Sequence, residues 1–287
     1  MSSKPQLIVV MGPTASGKTA YAIDLAKKHN AEIFSADSRQ FYREMNIGVA
    51  KPSNEELLAA KHHFVGHISI HDEYTAGDFE KNALNKLNEY FRTREVAILV
   101  GGSGLFIKAV LEGLDNFPKV DDKIRDELNQ RLNKEGLESL KHELAKLDPE
   151  SFNTIALDNP RRVIRALEVC LSSGEPYSKF KNQTKAPRGF SIKKIGLKWE
   201  REVLYQRINN RVDAMIAAGL EKEARSLFAY RHLNPLNTVG YSELFEYFDG
   251  RCTRAFAIEK IKQHTRNYAK RQLTWLRKEE GVEIVKV

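Results

Sequence analysis

Residues 7–26, LIVVMGPTASGKTAYAIDLA, constrain the fold more than any other stretch of the chain. Residues 7–11 form a short apolar run rich in Val and Ile, the pattern of a parallel strand buried on both faces. Gly12, Gly17, Lys18 and Thr19 then satisfy G-x-x-x-x-G-K-[ST], and residues 20–28 read as a helix. Strand, glycine loop and helix in that order make a phosphate cradle. The glycines let backbone N–H groups turn inward, and the helix start adds partial positive charge. Gly12, Pro13, Thr14, Ala15, Ser16, Gly17, Lys18 and Thr19 are therefore expected to wrap an anion. Lys18 would act as a point charge, and the Thr19 hydroxyl is placed to ligate Mg²⁺. The motif specifies phosphate. It specifies neither the molecule that carries it nor whether a phosphoryl group moves.

The rest of the chain reads as alternating strands and helices. Residues 32–36 and 96–100 are apolar runs of strand length, and a Thr75/Asp78 capping pair opens a helix reaching about residue 92. Strands return at 192–199 and in VEIVKV at the C-terminus. The alternation predicts an α/β fold, a P-loop NTPase-like parallel sheet flanked by helices. Residues 121–146 are highly charged and helical in period. Asn159 and Pro160 suit the cap and first position of a further helix, and residues 172–189 form a polar return loop. Residues 115–187 are thus expected to be an inserted helical domain, with 1–114 and 188–287 forming the core.

Asp37 stands just beyond the second strand. Ligands of open parallel sheets bind beyond those strand ends, so Asp37 should face whatever Lys18 and Thr19 hold. A carboxylate there can accept a proton or position Mg²⁺ through water. The strand at 96–100 ends in Gly101-Gly102-Ser103-Gly104, without the metal-binding acid of motor and switch NTPases. These glycines permit close backbone approach to a ligand, and Ser103 offers a hydroxyl. Arg161, Arg162 and Arg165 lie in RRVIR. Arg161 and Arg165 share a helix face suited to a phosphate backbone, while Val163 and Ile164 point inward. In the last helix, residues 254–277, Lys262, Arg266, Lys270 and Arg277 form a basic ridge beside an apolar face. His62, His63, His67 and His71 follow no standard zinc spacing, so ordinary polar packing is expected of them.

The formal charge of +8 and a pI near 9.3 fit an anionic partner, nucleic acid above all. Two distant cysteines, Cys170 and Cys252, and the absence of an apolar leader or long apolar run point to a cytoplasmic protein with no membrane partner. A monomer is expected, since no unpartnered apolar seam is visible in the sequence.

Six segments, GPTASGKT, DSRQFYREMNIGVAKP, GGSGLF, NPRRVIRALEV, TVGYSEL and TRNYAKRQLTW, occur in that order from the loop to Trp275. Together they resemble the tRNA dimethylallyltransferases, also called tRNA isopentenyltransferases. No zinc-finger extension follows them, which favours the bacterial type. The resemblance implies transfer of a dimethylallyl group from dimethylallyl diphosphate to N6 of the adenine 3′ of the anticodon, with diphosphate leaving and Mg²⁺ required. The helical insertion would close over the anticodon stem-loop. Asp37 would be the base, and Lys18, Thr19 and the loop N–H groups would stabilise the diphosphate. Asp37, Ser38, Arg39, Gln40, Ser103, Arg125 and the run Arg161, Arg162, Val163, Ile164, Arg165 match positions that contact tRNA. One position departs from the pattern. Many bacterial members hold the diphosphate with an Arg four residues before the Tyr of VGY, where this chain has Asn237. Either the charge comes from elsewhere or Asn237 serves as a neutral donor. The competing reading is a small-molecule or nucleotide kinase, with Asp37 on the acceptor and the insertion as a lid.

Overall fold

A computed structural model describes residues 4–184 and 186–287. Residues 1–3 and Lys185, which belong to the leader and return-loop readings, lie outside the described residues. The chain divides into two compact units, Met1–Glu112 with Pro187–Val287, and Gly113–Ala186.

The larger unit is built on six strands: β1 Gln6–Met11, β2 Ile33–Ser35, β3 His62–His63, β4 Val96–Gly101, β5 Ser191–Lys198 and β6 Val282–Lys286. Every pairing is parallel, in the order β3-β2-β4-β1-β5-β6. The central strands β1 and β4 are almost wholly buried. This is the consequence of their unbroken Val/Ile/Leu runs, which need cover on both faces. Helices α1 Lys18–His29, α2 Asn54–Ala59, α3 Ala76–Tyr90 and α4 Gly104–Glu112 follow the first strands. The Thr75/Asp78 pair forms a full capping box at the head of α3. Apolar side chains from the sheet's two faces fill separate cores, one around Phe34, Phe41, Phe79 and Leu99, the other around Ile8, Val10, Ile33 and Ile195. The short strand β3 has no separate sequence signal; at two residues it is too brief to show a period.

The smaller unit holds α5 Asp122–Glu135, α6 Leu137–Leu147, α7 Pro149–Thr154 and α8 Pro160–Ser173. The charged stretch expected as one helical run is split at Gly136, whose φ of 80° a helix cannot accommodate. Asn159 caps α8 by accepting from Arg161 N–H at 3.1 Å, and Pro160 is its first residue. Leu128, Leu140, Leu144, Val163, Ile164 and Leu167 form the unit's own core.

After β5 the larger unit continues through α9 Arg201–Ala217, α10 Leu220–Leu227, α11 Tyr241–Phe248 and α12 Arg254–Leu276. A single carboxylate organises part of this region. Glu223 accepts from the N–H groups of Asn46, Ile47 and Gly48 at 3.1, 2.9 and 3.0 Å, and from the buried Tyr241 hydroxyl at 2.6 Å. The Tyr241 ring lies so close to Gly48 that a Cβ there would sit 2.5 Å from it. Burial, with Glu223 adding to it, holds the Tyr241 phenol strongly in its protonated form. The loop so fixed in turn binds Gln40, whose Nε2 donates to Ala50 O at 2.9 Å and Val49 O at 3.3 Å.

Replacing Glu223 by Ala would strand three N–H groups and one phenol at once. The expected loss is about 3 kcal/mol of stability, against about 1 kcal/mol for Tyr241→Phe, read from urea midpoints. Equal effects of the two variants would show that the backbone hydrogen bonds contribute nothing.

Candidate functional site

The site is assembled at the C-terminal edge of the sheet, where β1, β4 and β2 lie side by side. The phosphate loop leaves β1, with Ala15 at φ 62° and Gly17 at φ 86°. Its carbonyls are held by donors from elsewhere in the unit. Arg207 Nε donates to Ala15 O at 2.9 Å, and Trp199 Nε1 to Ser16 O at 3.0 Å. The Arg207 guanidinium also stacks 4.3 Å from the Trp199 ring centroid. Carbonyls bonded on one side leave the N–H groups at the start of α1 to converge on the other, which is how a backbone binds an anion. Gly12 has no room for a side chain, since a Cβ would lie 2.8 Å from Ser16 Oγ and 3.2 Å from Leu197 O. The Ser16 hydroxyl is itself buried without a partner among the described residues.

Lys18 Nζ donates to Pro13 O at 2.7 Å. Part of the side chain stays accessible, but the ammonium is enclosed. Burial pushes its pKa down to about 8; Asp37 opposes that shift and Arg211 adds to it. Arg211 reaches Thr14 Oγ1 at 3.4 Å, and its guanidinium is also shifted down by burial, with Asp37 again opposing. Lys18, Arg211 and Asp37 therefore share one electrostatic environment. Arg207 and Arg211 were not among the residues singled out by sequence. Their signal was present: two arginines four apart, on one face of the helix that follows β5. Asn237, the position that departs from the family pattern, is exposed. It contributes a backbone carbonyl, 3.5 Å from Arg39 Nη2.

Asp37 follows β2, and its Oδ1 accepts the N–H of Arg39 at 3.1 Å. Ser38 joins the turn after β4: its N–H and Oγ lie 3.3 and 3.2 Å from Ser103 Oγ. Tyr268, from α12, hydrogen-bonds Ser103. Burial first, then the charge of Asp37, pushes its pKa up to about 12. Asp37, Ser38, Ser103 and Lys18 are thus brought together on one strand edge, with Thr19 next to Lys18 in the first turn of α1. Gln40 also lies here, but its amide is engaged within the chain by Val49, Ala50 and Ser35.

The glycines of the Gly101–Gly104 turn make room for other parts of the protein, which the sequence reading did not anticipate. A Cβ on Gly101 would lie 2.5 Å from Ala36 O, one on Gly104 would lie 2.5 Å from the Trp275 indole, and one on Gly102 would overlap the Gln272 amide. The basic ridge of α12 is likewise partly neutralised. Lys262 pairs with Asp213 at 2.8 Å and Glu259 at 3.2 Å, and Arg266 bonds Asn209 at 2.6 Å.

In the smaller unit, Arg161 and Arg162 are exposed on α8. Arg165 is turned to Glu168 at 3.3 Å and lies over Phe117, and Arg125 pairs with the same buried carboxylate at 2.7 Å. The face expected to run from Arg161 to Arg165 is therefore divided. Val163 and Ile164 belong to the core, so their side chains offer nothing to a nucleic acid. The four histidines do not gather. His63 bonds Glu32 at 2.6 Å, His62 bonds Ala60 O, His67 sits among Phe41, Phe64 and Tyr74, and His71 meets Tyr230.

The IPP transferase family model matches residues 40–279, most of the chain. The chain belongs to the tRNA dimethylallyltransferase family. It is 55% identical to the tRNA dimethylallyltransferase of Christiangramia forsetii, over 95% of this chain and 90% of that one. To the Flavobacterium johnsoniae enzyme of the same name it is 50% identical, over 96% and 91%. The crystal structure of the tRNA isopentenylpyrophosphate transferase of Bacillus halodurans superposes with a TM-score of 0.71 at 38% identity, covering 99% of this chain and 90% of that one. A eukaryotic dimethylallyltransferase solved acting on tRNA superposes at 0.83 with 26% identity, covering 98% and 74%. The family's P-loop NTPase-like fold is the one described above, and the kinase alternative is not favoured.

Enclosing Lys18 carries a cost that depends on pH. Its folded pKa lies below the unfolded value, so the penalty is complete below about pH 8 and fades as pH rises toward 10.5. Lys18→Met is expected to raise the stability of the ligand-free protein at pH 7 by about 1–3 kcal/mol while abolishing activity. The advantage should shrink between about pH 8 and pH 10 in denaturant titrations. A constant difference across that range would mean the ammonium is solvated.

Proposed function

We propose that the chain transfers a dimethylallyl group from dimethylallyl diphosphate to N6 of the adenine 3′ of the anticodon in tRNA. The observation that carries this reading is the sharing of one charged environment by Lys18, Arg211 and Asp37. A phosphate-binding cation pair faces a carboxylate, with no acid in the turn after β4 to manage a nucleoside triphosphate. In the transfer, the C1–O bond of the donor breaks, and its electron pair leaves with the diphosphate. Lys18, Arg211 and the N–H groups heading α1 stabilise that developing charge. The N6 lone pair forms the new bond to C1. Because that lone pair is delocalised into the ring, the amine gains from losing a proton as it reacts, and Asp37 accepts it. The adenine leaves its stack to reach the edge of the sheet.

The residues present fit a magnesium ion of a particular kind. Among the described residues no three His, Cys, Asp or Glu side chains gather as a ligand set. Thr19 at the head of α1 and Asp37 beyond β2 offer one hydroxyl and one carboxylate. Mg²⁺ commonly keeps several waters and takes its remaining oxygens from substrate phosphates, so such a sparse donor set suffices. Bound there, it would supply charge neutralisation for the leaving diphosphate. Arg161 and Arg162 are proposed to contact the tRNA backbone, with Arg125 and Arg165 oriented by Glu168. The helical unit is proposed as the tRNA-contacting domain, and the chain as a cytoplasmic monomer. No helix among the described residues is long and apolar enough to cross a membrane.

Incubation of an anticodon stem-loop RNA with protein, Mg²⁺ and dimethylallyl diphosphate should add one dimethylallyl group to that adenine by mass spectrometry. Asp37→Ala is expected to lower the transfer rate about 10²–10⁴-fold with RNA affinity retained. Transfer at the wild-type rate would remove Asp37 as the base. Arg161→Ala with Arg162→Ala should weaken RNA binding and flatten the dependence of log K on log salt by roughly 0.7–0.9 for each phosphate that is no longer neutralised. An unchanged slope would take both residues off the RNA surface.

A further inference from the structure

Gln272 is the one buried polar side chain of α12, whose other buried residues are Ala257, Ile261, Ala269 and Leu276. Its amide is bonded at both ends. Oε1 accepts from Thr14 N–H at 2.7 Å, and Nε2 donates to Gly102 O at 2.9 Å. Thr14 lies in the phosphate loop after β1 and Gly102 just after β4, strands that run side by side with Met11 against Gly101. The side chain therefore spans the strand edge from the phosphate loop to the turn that carries Ser103.

Gln272 takes two resources away from the loop. The Thr14 N–H, which would otherwise face an anion, already has an acceptor. The space over Gly102 is filled so tightly that a Cβ there would overlap the amide. Pro13 has no N–H, and that of Ser16 is bonded to Pro13 O at 3.3 Å. Among the described residues, the loop N–H groups left without an intrachain acceptor are those of Ala15, Gly17, Lys18 and Thr19, most of them at the head of α1. The anion-binding capacity is concentrated at one end of the loop.

We propose that Gln272 limits the phosphate chain to two groups and so selects a diphosphate ester over a nucleoside triphosphate. A third phosphate extending from the head of α1 toward β4 requires an N–H donor and a volume, and Gln272 occupies both. The amide is neutral at every working pH, so the exclusion does not titrate. This deepens the proposed function and rests on the loop being the diphosphate site.

The test is calorimetric binding of inorganic diphosphate and inorganic triphosphate, each with Mg²⁺, to the wild-type protein and to Gln272→Ala and Gln272→Met. Thermal melts establish that each variant is folded. Wild type is expected to prefer diphosphate by about tenfold or more, and Gln272→Ala to shift that ratio toward triphosphate by a similar factor. Gln272→Met frees the N–H but keeps the bulk, so its shift should be smaller. A merely structural staple would weaken both ligands together, and an unchanged ratio in both variants overturns the proposal. Equal wild-type affinities would overturn it while leaving the diphosphate reading intact. A wild type that binds neither anion would overturn both.

Discussion

A loop can aim its N–H groups at one point only if its carbonyl oxygens are satisfied on the other side. Here Pro13 O takes Lys18, Ala15 O takes Arg207 and Ser16 O takes Trp199. The last two donors come from the residue after β5 and from α9, more than 180 residues along the chain. The phosphate motif is contiguous in sequence, but the cradle is not. It exists because β5 pairs beside β1 and delivers Trp199 and α9 to the loop. Without that pairing the carbonyls of Ala15 and Ser16 would lose their partners, and the N–H groups would be less strongly aimed at one point.

The same arrangement stores unfavourable charge. Lys18 and Arg211 are both shifted toward their neutral forms by burial, and Asp37 only partly offsets this. An enclosed pair of cations is unfavourable until an anion arrives, and both then gain from its presence. A diphosphate leaving group gains negative charge as its bond breaks, so the stabilisation grows along the reaction coordinate. The site need not touch the dimethylallyl carbon to accelerate its transfer.

Much of this was legible in the sequence, for identifiable reasons. Unbroken apolar runs announced β1 and β4, and capping residues announced α3 and α8, because these signals are local. The Gly12–Thr19 motif marked the phosphate loop for the same reason. What escaped was long-range. Arg207 and Arg211 carry only an i, i+4 spacing that many exposed arginine pairs share, until β5 places their helix beside the loop. Glu223 is one acid among many until its carboxylate is found holding the loop at Asn46–Gly48. Arg125 and Arg165 match tRNA-contacting positions of the family, but their shared pairing with Glu168 was not visible, because that carboxylate is buried at a position where a helix normally hides an apolar residue. Periodicity identifies which residues point inward, but a charged residue pointing inward violates that pattern and reveals itself only with its partners.

The turn after β4 shows why a phosphate loop can serve a transferase that moves no phosphoryl group. In a nucleotide-hydrolysing enzyme an acid at such a strand end manages the metal and the terminal phosphate. This chain instead places there glycines small enough to admit Gln272 and Trp275, with Ser103 linking to Ser38 and Tyr268. The adjacent strand end carries Asp37. Triphosphate chemistry loses its acid and part of its space, while a carboxylate and a row of hydroxyls stand at the position proposed for deprotonating the incoming amine. The phosphate-binding half of the fold is kept, and the change of reaction lies in what the neighbouring strand ends present to it.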